Sequence, residues 1–501
     1  MHTRRYFSLF LTAMSCGIAL QASAQDASDA YRYSNLSTQG TARSMGFGSA
    51  LGSIGGDFST LSVNPAGLGM YHSSELTFTP SLKINSISGD YLGKSTADNN
   101  SQFNFNNFGL VLNKTAHGRR ALRSKWKSTS LGFGFNRLAD FNHTYAYSGT
   151  NNTSSASQVY EADANKYNDT STAGNLGYLG YQSFLLSLPD SVGKVHSVVP
   201  FTQGITQLRS VTESGHLNEM TLSFGANYDE KLMLGGTIGI PYINYERDIV
   251  YTEALAAGNP GNNYFNSFTY TESLKTTGSG ANLKLGAIYK INDYIRVGAA
   301  YHTPTYYNLH DDYNQGVTSV INNSSIPTVS NPTNSFDYTL TTPWRGILSA
   351  TGILGKYGFI TADYEYVDYS SMKYHFTDYP LEEYNANQEI KNTFKGASNF
   401  RIGGEGRINE HFMFRLGFGY YGNPYKTSTV DATRTDFSAG LGCRFNHFFA
   451  DIAMVNSMYK NAEQPYNIDY QYIAEPSTAA TPTAKLNYSL TNLALTIGMR
   501  F

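Results

Sequence analysis

The sequence predicts an all-β protein, a transmembrane antiparallel β-barrel of about fourteen strands with an N-terminal hatch plugging its lumen. Three observations predict it. Apolar and polar residues alternate with period two over many long segments. An export signal precedes them. Beyond that signal no apolar run reaches the roughly 18 to 20 residues a spanning helix requires, so a spanning structure must satisfy its backbone between strands.

The signal occupies residues 1–24: Arg4 and Arg5 open it, Phe7 to Leu20 form its apolar stretch, and Ala22-Ser23-Ala24 precedes Gln25 as a small-residue cleavage site. The alternative, a lipoprotein beginning at Cys16, meets a poor lipobox in Ala13-Met14-Ser15. The remainder divides into a hatch at 25–74 and a barrel at 75–501, with its largest extracellular loop at 148–216. Glycine (47), tyrosine (39) and phenylalanine (29) are abundant and only 15% of residues are charged, which suits strands with aromatic belts better than helical domains. A balance of 36 basic against 38 acidic residues gives no reason to expect nucleic acid as a partner. Cys443 is the single cysteine beyond the signal, so the wall must be held by hydrogen bonds and not by an intramolecular disulfide.

Strand by strand, Leu76, Phe78, Pro80, Leu82 and Ile84 alternate with Thr77, Thr79, Ser81, Lys83 and Asn85. Phe400 and Ile402 oppose Asn399, Arg401 and Glu405; Phe412, Phe414, Leu416, Phe418 and Tyr420 share a face, as do Phe437, Ala439, Leu441, Cys443 and Phe445. A soluble sandwich would show the same alternation but would need an unusually large single core. The strands are expected to start near Glu75, Ser101, Ser128, Asn218, Lys231, Phe265, Tyr294, Ser335, Gly358, Phe394, His411, Arg434, Phe448 and Leu486. Tight turns such as Asp229-Glu230-Lys231 and Asn409-Glu410 alternate with longer loops near 88–100, 148–216, 253–264, 310–334, 376–393, 423–433 and 460–485. Short periplasmic turns and long outer loops are the expected asymmetry of a barrel in the outer membrane of a Gram-negative bacterium. The last strand ends Leu493, Leu495, Ile497, Met499, Phe501 on one face, a terminal aromatic that resembles the signal read by barrel-assembly machinery.

Residues 26 to about 74 do not alternate and are rich in small residues, as a compact, sharply turning segment requires. Gly55, Gly56 and Asp57 are followed by Asn64, Pro65, Ala66, Gly67 and Leu68. With Ala362-Asp363-Tyr364-Glu365-Tyr366, Asn399-Phe400-Arg401-Ile402-Gly403-Gly404-Glu405 and Gly298-Ala299-Ala300-Tyr301-His302-Thr303-Pro304, these motifs give the chain a close resemblance to the FadL/TodX family of outer-membrane transporters for long-chain fatty acids and other hydrophobic compounds. The resemblance implies a fourteen-stranded monomer with a hatch. It also implies passive uptake of a fatty-acid-like molecule by way of the loops, a lumen pocket and a lateral opening at a kink in the third strand.

Two candidate sites follow. Leu176, Tyr178, Leu179, Tyr181, Phe184, Leu185 and Leu188 form an apolar cluster in a polar loop, which either captures a hydrophobic ligand or packs the loop onto the rim. Asn136 and Arg137, where alternation in the third strand loses its contrast, mark an ordinary bulge or a lateral gate. Lys83, Lys284, Arg296, Glu405, Arg407 and Arg415 point inward by register, paired with one another or, for one or two arginines, holding a ligand carboxylate. The basic turn Lys114 to Lys127, with Arg119, Arg120, Arg123 and Lys125, is either solvated or a docking site. No Gly-x-Ser-x-Gly elbow or His-Glu-x-x-His pair is found, so the reading is of a non-enzyme without cofactor or metal, whose partners are a hydrophobic small molecule and outer-membrane lipid. The alternative is a barrel subunit that binds a protein partner in secretion or attachment machinery.

Overall fold

In a computed structural model the described residues are 26–37, 39–116, 124–262, 264–427, 431–473 and 481–501. The signal at 1–24 and three arginines of the basic turn, Arg119, Arg120 and Arg123, lie outside them. Nineteen strand segments form one sheet. Several segments are collinear pieces of one strand, because successive pieces pair with the same neighbour, and the wall resolves into fourteen strands.

In chain order these are β1 (Glu75–Tyr91), β2 (Lys94–Thr115), β3 (Trp126–Asp140 and His143–Asn151), β4 (Ile205–Tyr228), β5 (Leu232–Leu255), β6 (Phe265–Lys290) and β7 (Ile295–His302 and Tyr306–Ile321). The remainder are β8 (Ser324–Ser330, Asn334–Thr341 and Arg345–Ile353), β9 (Gly358–Asp368 and Lys373–His375), β10 (Gly396–Arg407), β11 (Phe412–Tyr421), β12 (Arg434–Phe445), β13 (Phe448–Glu463) and β14 (Ala484–Arg500). The ring closes where β1 pairs antiparallel with β14, from Glu75↔Arg500 to Asp90↔Lys485. Closure leaves no backbone edge to lipid. Side chains sort as alternation requires: Phe78, Leu82 and Ile84 are exposed on the outer face, whereas Thr77, Thr79, Ser81, Lys83 and Asn85 are buried in the bore.

The wall is uneven. β4, β5 and β6 run 24, 24 and 26 residues, against 12 and 10 for β10 and β11. A tilted strand needs only about 9–11 residues to cross the bilayer, so the long side rises above it as an extracellular tower. Here the expected loops are corrected. Residues 88–100 form a hairpin of β1 and β2 around Leu92-Gly93, and 310–334 is largely a hairpin around Asn322-Asn323, both with two-residue turns at positive φ. The ends of the 148–216 segment are strand as well, leaving 152–204 between β3 and β4. The stretch 376–393 contains a helix, Pro380–Thr393. Above the membrane neither face of a strand meets lipid, so the alternation that marks strands elsewhere fades.

The N-terminal segment descends inside the tube. Helix α1 (Ala27–Ser34) lies in the upper lumen, α2 (Ala42–Gly46) against β11–β13, α3 (Thr60–Val63) below it, and a 3-10 turn (Pro65–Met70) against β4–β6. Ser74 then exchanges backbone hydrogen bonds with Phe501 where the two ends of the barrel meet.

Candidate functional site

The hatch motif is a set of fastenings. Gly55 and Gly56 turn at φ of 62° and 65°, backbone closed to most other residues. The turn delivers Asp57, whose carboxylate accepts from the Thr41 hydroxyl (2.8 Å) and the Ser59 amide (2.9 Å). Asn64 caps the 3-10 turn by accepting from the Ala66 amide (3.1 Å), and its own amide donates to the Gly52 carbonyl (2.6 Å). Pro65 presets the first turn angle, and the Gly56 amide donates to the Gly67 carbonyl (3.1 Å), tying the two parts of the motif together. The wall makes room: a Cβ on Gly286 would stand 1.9 Å from the Asn64 side-chain oxygen.

Ion pairs join hatch to wall. Arg43 reaches Glu405 (3.2 Å) and Asp57 (3.7 Å), while Arg415, fully buried, bridges Glu405 (2.8 Å) and Asp451 (2.7 Å). Lys83 pairs with Asp140 (2.8 Å) and Lys284 with Glu219. Arg345 meets Glu365 (3.2 Å), and Arg401 meets Glu365 (3.5 Å) and Asp363 (3.6 Å). Of the charges read as inward, Lys83, Lys284, Glu405 and Arg415 are buried and paired, and Arg296 lies half-buried beside the Met70 sulfur (3.9 Å). Arg407 is corrected: it is exposed, because its strand ends there. Sequence reasoning missed Arg43, which shows no alternation to mark it. Among the described residues, no three His, Cys, Asp or Glu side chains form a group able to hold a metal.

Two cavities remain in this layer, of ≈ 20 Å³ and ≈ 30 Å³, bordered by Leu36, Leu138, Lys284, His302 and Arg345. Each holds about one or two waters. Lys284 and Arg345 border both, so neither cavity has apolar walls alone.

Above the charged layer the lumen turns aromatic. α1 sits among Phe141, Tyr245, Tyr307, Tyr338, Tyr369, Tyr374 and Phe394. Its Arg32 lies over the Tyr245 ring (4.4 Å), the Tyr374 hydroxyl donates to the Asp26 carbonyl (3.0 Å), and Arg345 donates to the Ser34 carbonyl. Burial pushes the Asp29 carboxyl up to about 7, against the pull of neighbouring Arg32.

The wall is interrupted at β3. Its ladder to β2 stops at Asn107↔Asn136, and its ladder to β4 shifts register between Arg137 and Ala139. From Asn136 to Asn142 every residue is buried, so the strand leans into the bore. The Asn136 amide donates to Ser62 of the hatch (2.8 Å); Arg137 donates to Asn104 (2.7 Å) on β2 and to Asp140 (3.0 Å). Part of the freed edge is taken by the hatch itself. The Ser37 and Gln39 amides donate to the Leu138 and Arg137 carbonyls (2.8 and 3.3 Å). An edge strand needs such cover.

The apolar loop cluster does not assemble as one surface. Helices α4 (Ser157–Tyr167) and α5 (Leu176–Gln182) fill the concave side of the tower, with Leu179 and Leu185 fully buried and Leu176, Tyr178 and Tyr181 packed partly against them. Only Phe184 (51% exposed) and Leu188 (78%) face solvent. Glu253 of β5 pins the loop, accepting from the Ala156 amide (2.8 Å), Gln207 (2.8 Å), the Tyr251 hydroxyl (2.6 Å) and Ser155.

A family model described as outer membrane protein transport protein (OMPP1/FadL/TodX) matches residues 208–501, more than half the sequence. The chain belongs to this family. Its fold is similar to that of a Pseudomonas aeruginosa FadL homologue, with 11% identity, a TM-score of 0.57, and 92% of this chain and 98% of that one covered. The P. putida toluene transporter TodX is also similar, at 12% identity and a TM-score of 0.55, covering 93% and 99%. Identities this low speak for the fold alone. No curated protein matches the sequence. The family description makes the chain an outer-membrane transport barrel.

Proposed function

We propose that this barrel takes up small hydrophobic molecules by passive diffusion. They meet the outer loops, where Phe184 and Leu188 are among the exposed apolar residues, enter the aromatic upper lumen, and leave sideways through the wall at Asn136 and Arg137. One observation carries the route: the β2–β3 ladder ends at Asn107↔Asn136 beside a lumen layer filled with buried ion pairs. A molecule without hydrogen-bonding groups gains nothing from the charged layer and would strip water from it. A wall break beside that layer offers lipid instead. The names of the similar structures, one a toluene transporter, agree with a hydrophobic cargo. Fatty-acid-like chains fit the same apolar contacts, which discriminate weakly among ligands of similar bulk.

The test is deletion of Arg137, which would remove the extra residue at the register shift between β3 and β4. Uptake of a fluorescent long-chain fatty acid into cells is expected to fall at least tenfold while the barrel still folds and reaches the outer membrane. Unchanged uptake would refute the lateral route.

A further inference from the structure

The outer face of the barrel carries opposite charge on its tall and short sides. On the tall side, the exposed run Ile238, Ile240 and Tyr242 of β5 gives way to Asn244, Glu246 and Asp248. There Glu246 and Asp312 flank Lys275 across β5, β6 and β7, and Asp337 of β8 meets His310 at 2.7 Å. Carboxylates outnumber basic groups in this patch. The short side is the reverse. β10 and β11 are 12 and 10 residues long, about what a tilted strand needs to cross the bilayer, so their upper ends lie where hydrocarbon gives way to headgroups. Phe400, Tyr420 and Met458 are exposed just below that level. Above it stand three exposed lysines: Lys395, which precedes β10; Lys391, in the last turn of the helix Pro380–Thr393; and Lys460, two residues beyond Met458 on β13. The Lys395 amide donates to the Pro424 carbonyl (2.8 Å), and the Lys426 amide to that of Thr393 (2.8 Å), so the segments leading into β10 and out of β11 run side by side. Lys426 caps the helix by donating to the Lys391 carbonyl. Lys395 and Lys460 both lie within electrostatic reach of Asp431, whose carboxylate is taken up by the Thr433 amide (3.0 Å) and hydroxyl (2.6 Å). Among the described residues, Lys391, Lys395 and Lys460 have no ion-pair partner.

We propose that Lys391, Lys395 and Lys460 form a binding site for the phosphate headgroup of an outer-leaflet lipid. An ammonium group holds phosphate as a point charge, and lysines gathered at an anionic membrane surface add their attractions, roughly fivefold in affinity for each. The apolar side chains beneath them, Phe400, Tyr420 and Met458, receive the acyl chains. A phosphorylated lipid therefore matches the surface along its length, and a soluble phosphate matches only the top. The acidic tall side repels the same headgroup, so the barrel orders its surrounding lipid on one side. This site is independent of what the barrel carries.

The experiment is native mass spectrometry of the folded barrel released from neutral detergent, titrated with bisphosphorylated lipid A and with the same lipid stripped of phosphate. Wild type is expected to retain the phosphorylated lipid at a concentration at least tenfold lower. Combining Lys391→Gln, Lys395→Gln and Lys460→Gln is expected to erase that preference, and Lys275→Gln on the tall side is expected to keep it. Equal retention of the two lipids by wild type, or an undiminished preference in the triple variant, overturns the site. Loss of the preference in Lys275→Gln overturns its placement on the short side. Should the triple variant fail to fold, Lys395→Gln alone carries the test, with an expected loss of roughly fivefold, and no loss overturns the site. Excess inorganic phosphate is expected to leave the lipid bound; its release would make the site one for soluble anions and overturn the lipid as occupant.

Discussion

The lower and upper lumen are made of opposite materials. Below, α2, α3 and the 3-10 turn are bound to the wall by buried ion pairs and capped turns, with wall glycines admitting their backbone. Above, α1 is held mainly by ring contacts, one arginine over a ring, and a few bonds to its ends. Buried charge pairs cost heavily when one partner goes, because the other is left without solvent or counter-charge. Ring contacts are exchangeable, since any aromatic molecule of the right size supplies the same faces. The lower hatch is therefore fastened by charge pairs and capped turns, and the upper helix chiefly by ring contacts.

The largest effect that would break this contrast lies at Arg415, wholly buried between Glu405 and Asp451. Arg415→Ala is expected to destabilise the lower hatch by about 3–5 kcal/mol, measured as urea-dependent protease sensitivity of residues 42–70. A loss under about 1 kcal/mol would mean that the ion pairs are not what holds the stopper.

Leu179→Ala comes next, expected to cost about 2–4 kcal/mol of loop stability by opening a cavity between α4, α5 and the tower. Leu188→Ala, exposed at the same loop's surface, should change stability by less than about 0.5 kcal/mol, so any effect it has on uptake reads capture directly.

A pH-dependent effect comes from Asp29, whose carboxyl is raised by burial from an ordinary 3.8 to about 7 when α1 docks, against the lowering pull of Arg32, with Asp26, Arg247 and Asp311 also in range. The raised value means that docking takes up a proton. The stabilisation is complete below the free value and is lost as pH rises toward about 7, roughly tenfold in the docking constant per unit between the two. Amide exchange of 27–34, corrected for its intrinsic pH dependence, should accelerate from pH 5 to 7 and level off above, and Asp29→Asn should flatten the profile. A flat wild-type profile would show that α1 docks with Asp29 already ionised.

Where lipid covers one face, strands were legible residue by residue. Phe412, Phe414, Leu416 and Tyr420 fall at every second position and point outward, with Met413, Arg415, Gly417 and Gly419 between them, and the turns at 229–231 and 409–410 lie where they were expected. The β1–β2 and β7–β8 hairpins were misread as loops, since a strand wet on both faces carries Ser, Thr and Asn without contrast. The available signal was the Asn322-Asn323 dipeptide, both residues of which take the positive φ that such a turn needs. At the candidate sites, Asn136 and Arg137 were visible as a lapse in alternation, and the structure puts a register shift beside them. The ring cluster around Tyr31 was invisible, because its rings come from residues 31, 369, 394 and 425, and no local pattern relates them.

The sequence by itself determined the barrel, its strand number and the side of each strand that faces lipid, because the bilayer imposes a period of two on every spanning segment independently of the others. Only the tertiary structure decided which inward charges meet, where the β2–β3 ladder ends, and that α1 occupies the upper chamber. Those outcomes depend on residues hundreds of positions apart being brought to one level of the bore, and alternation carries no information about height.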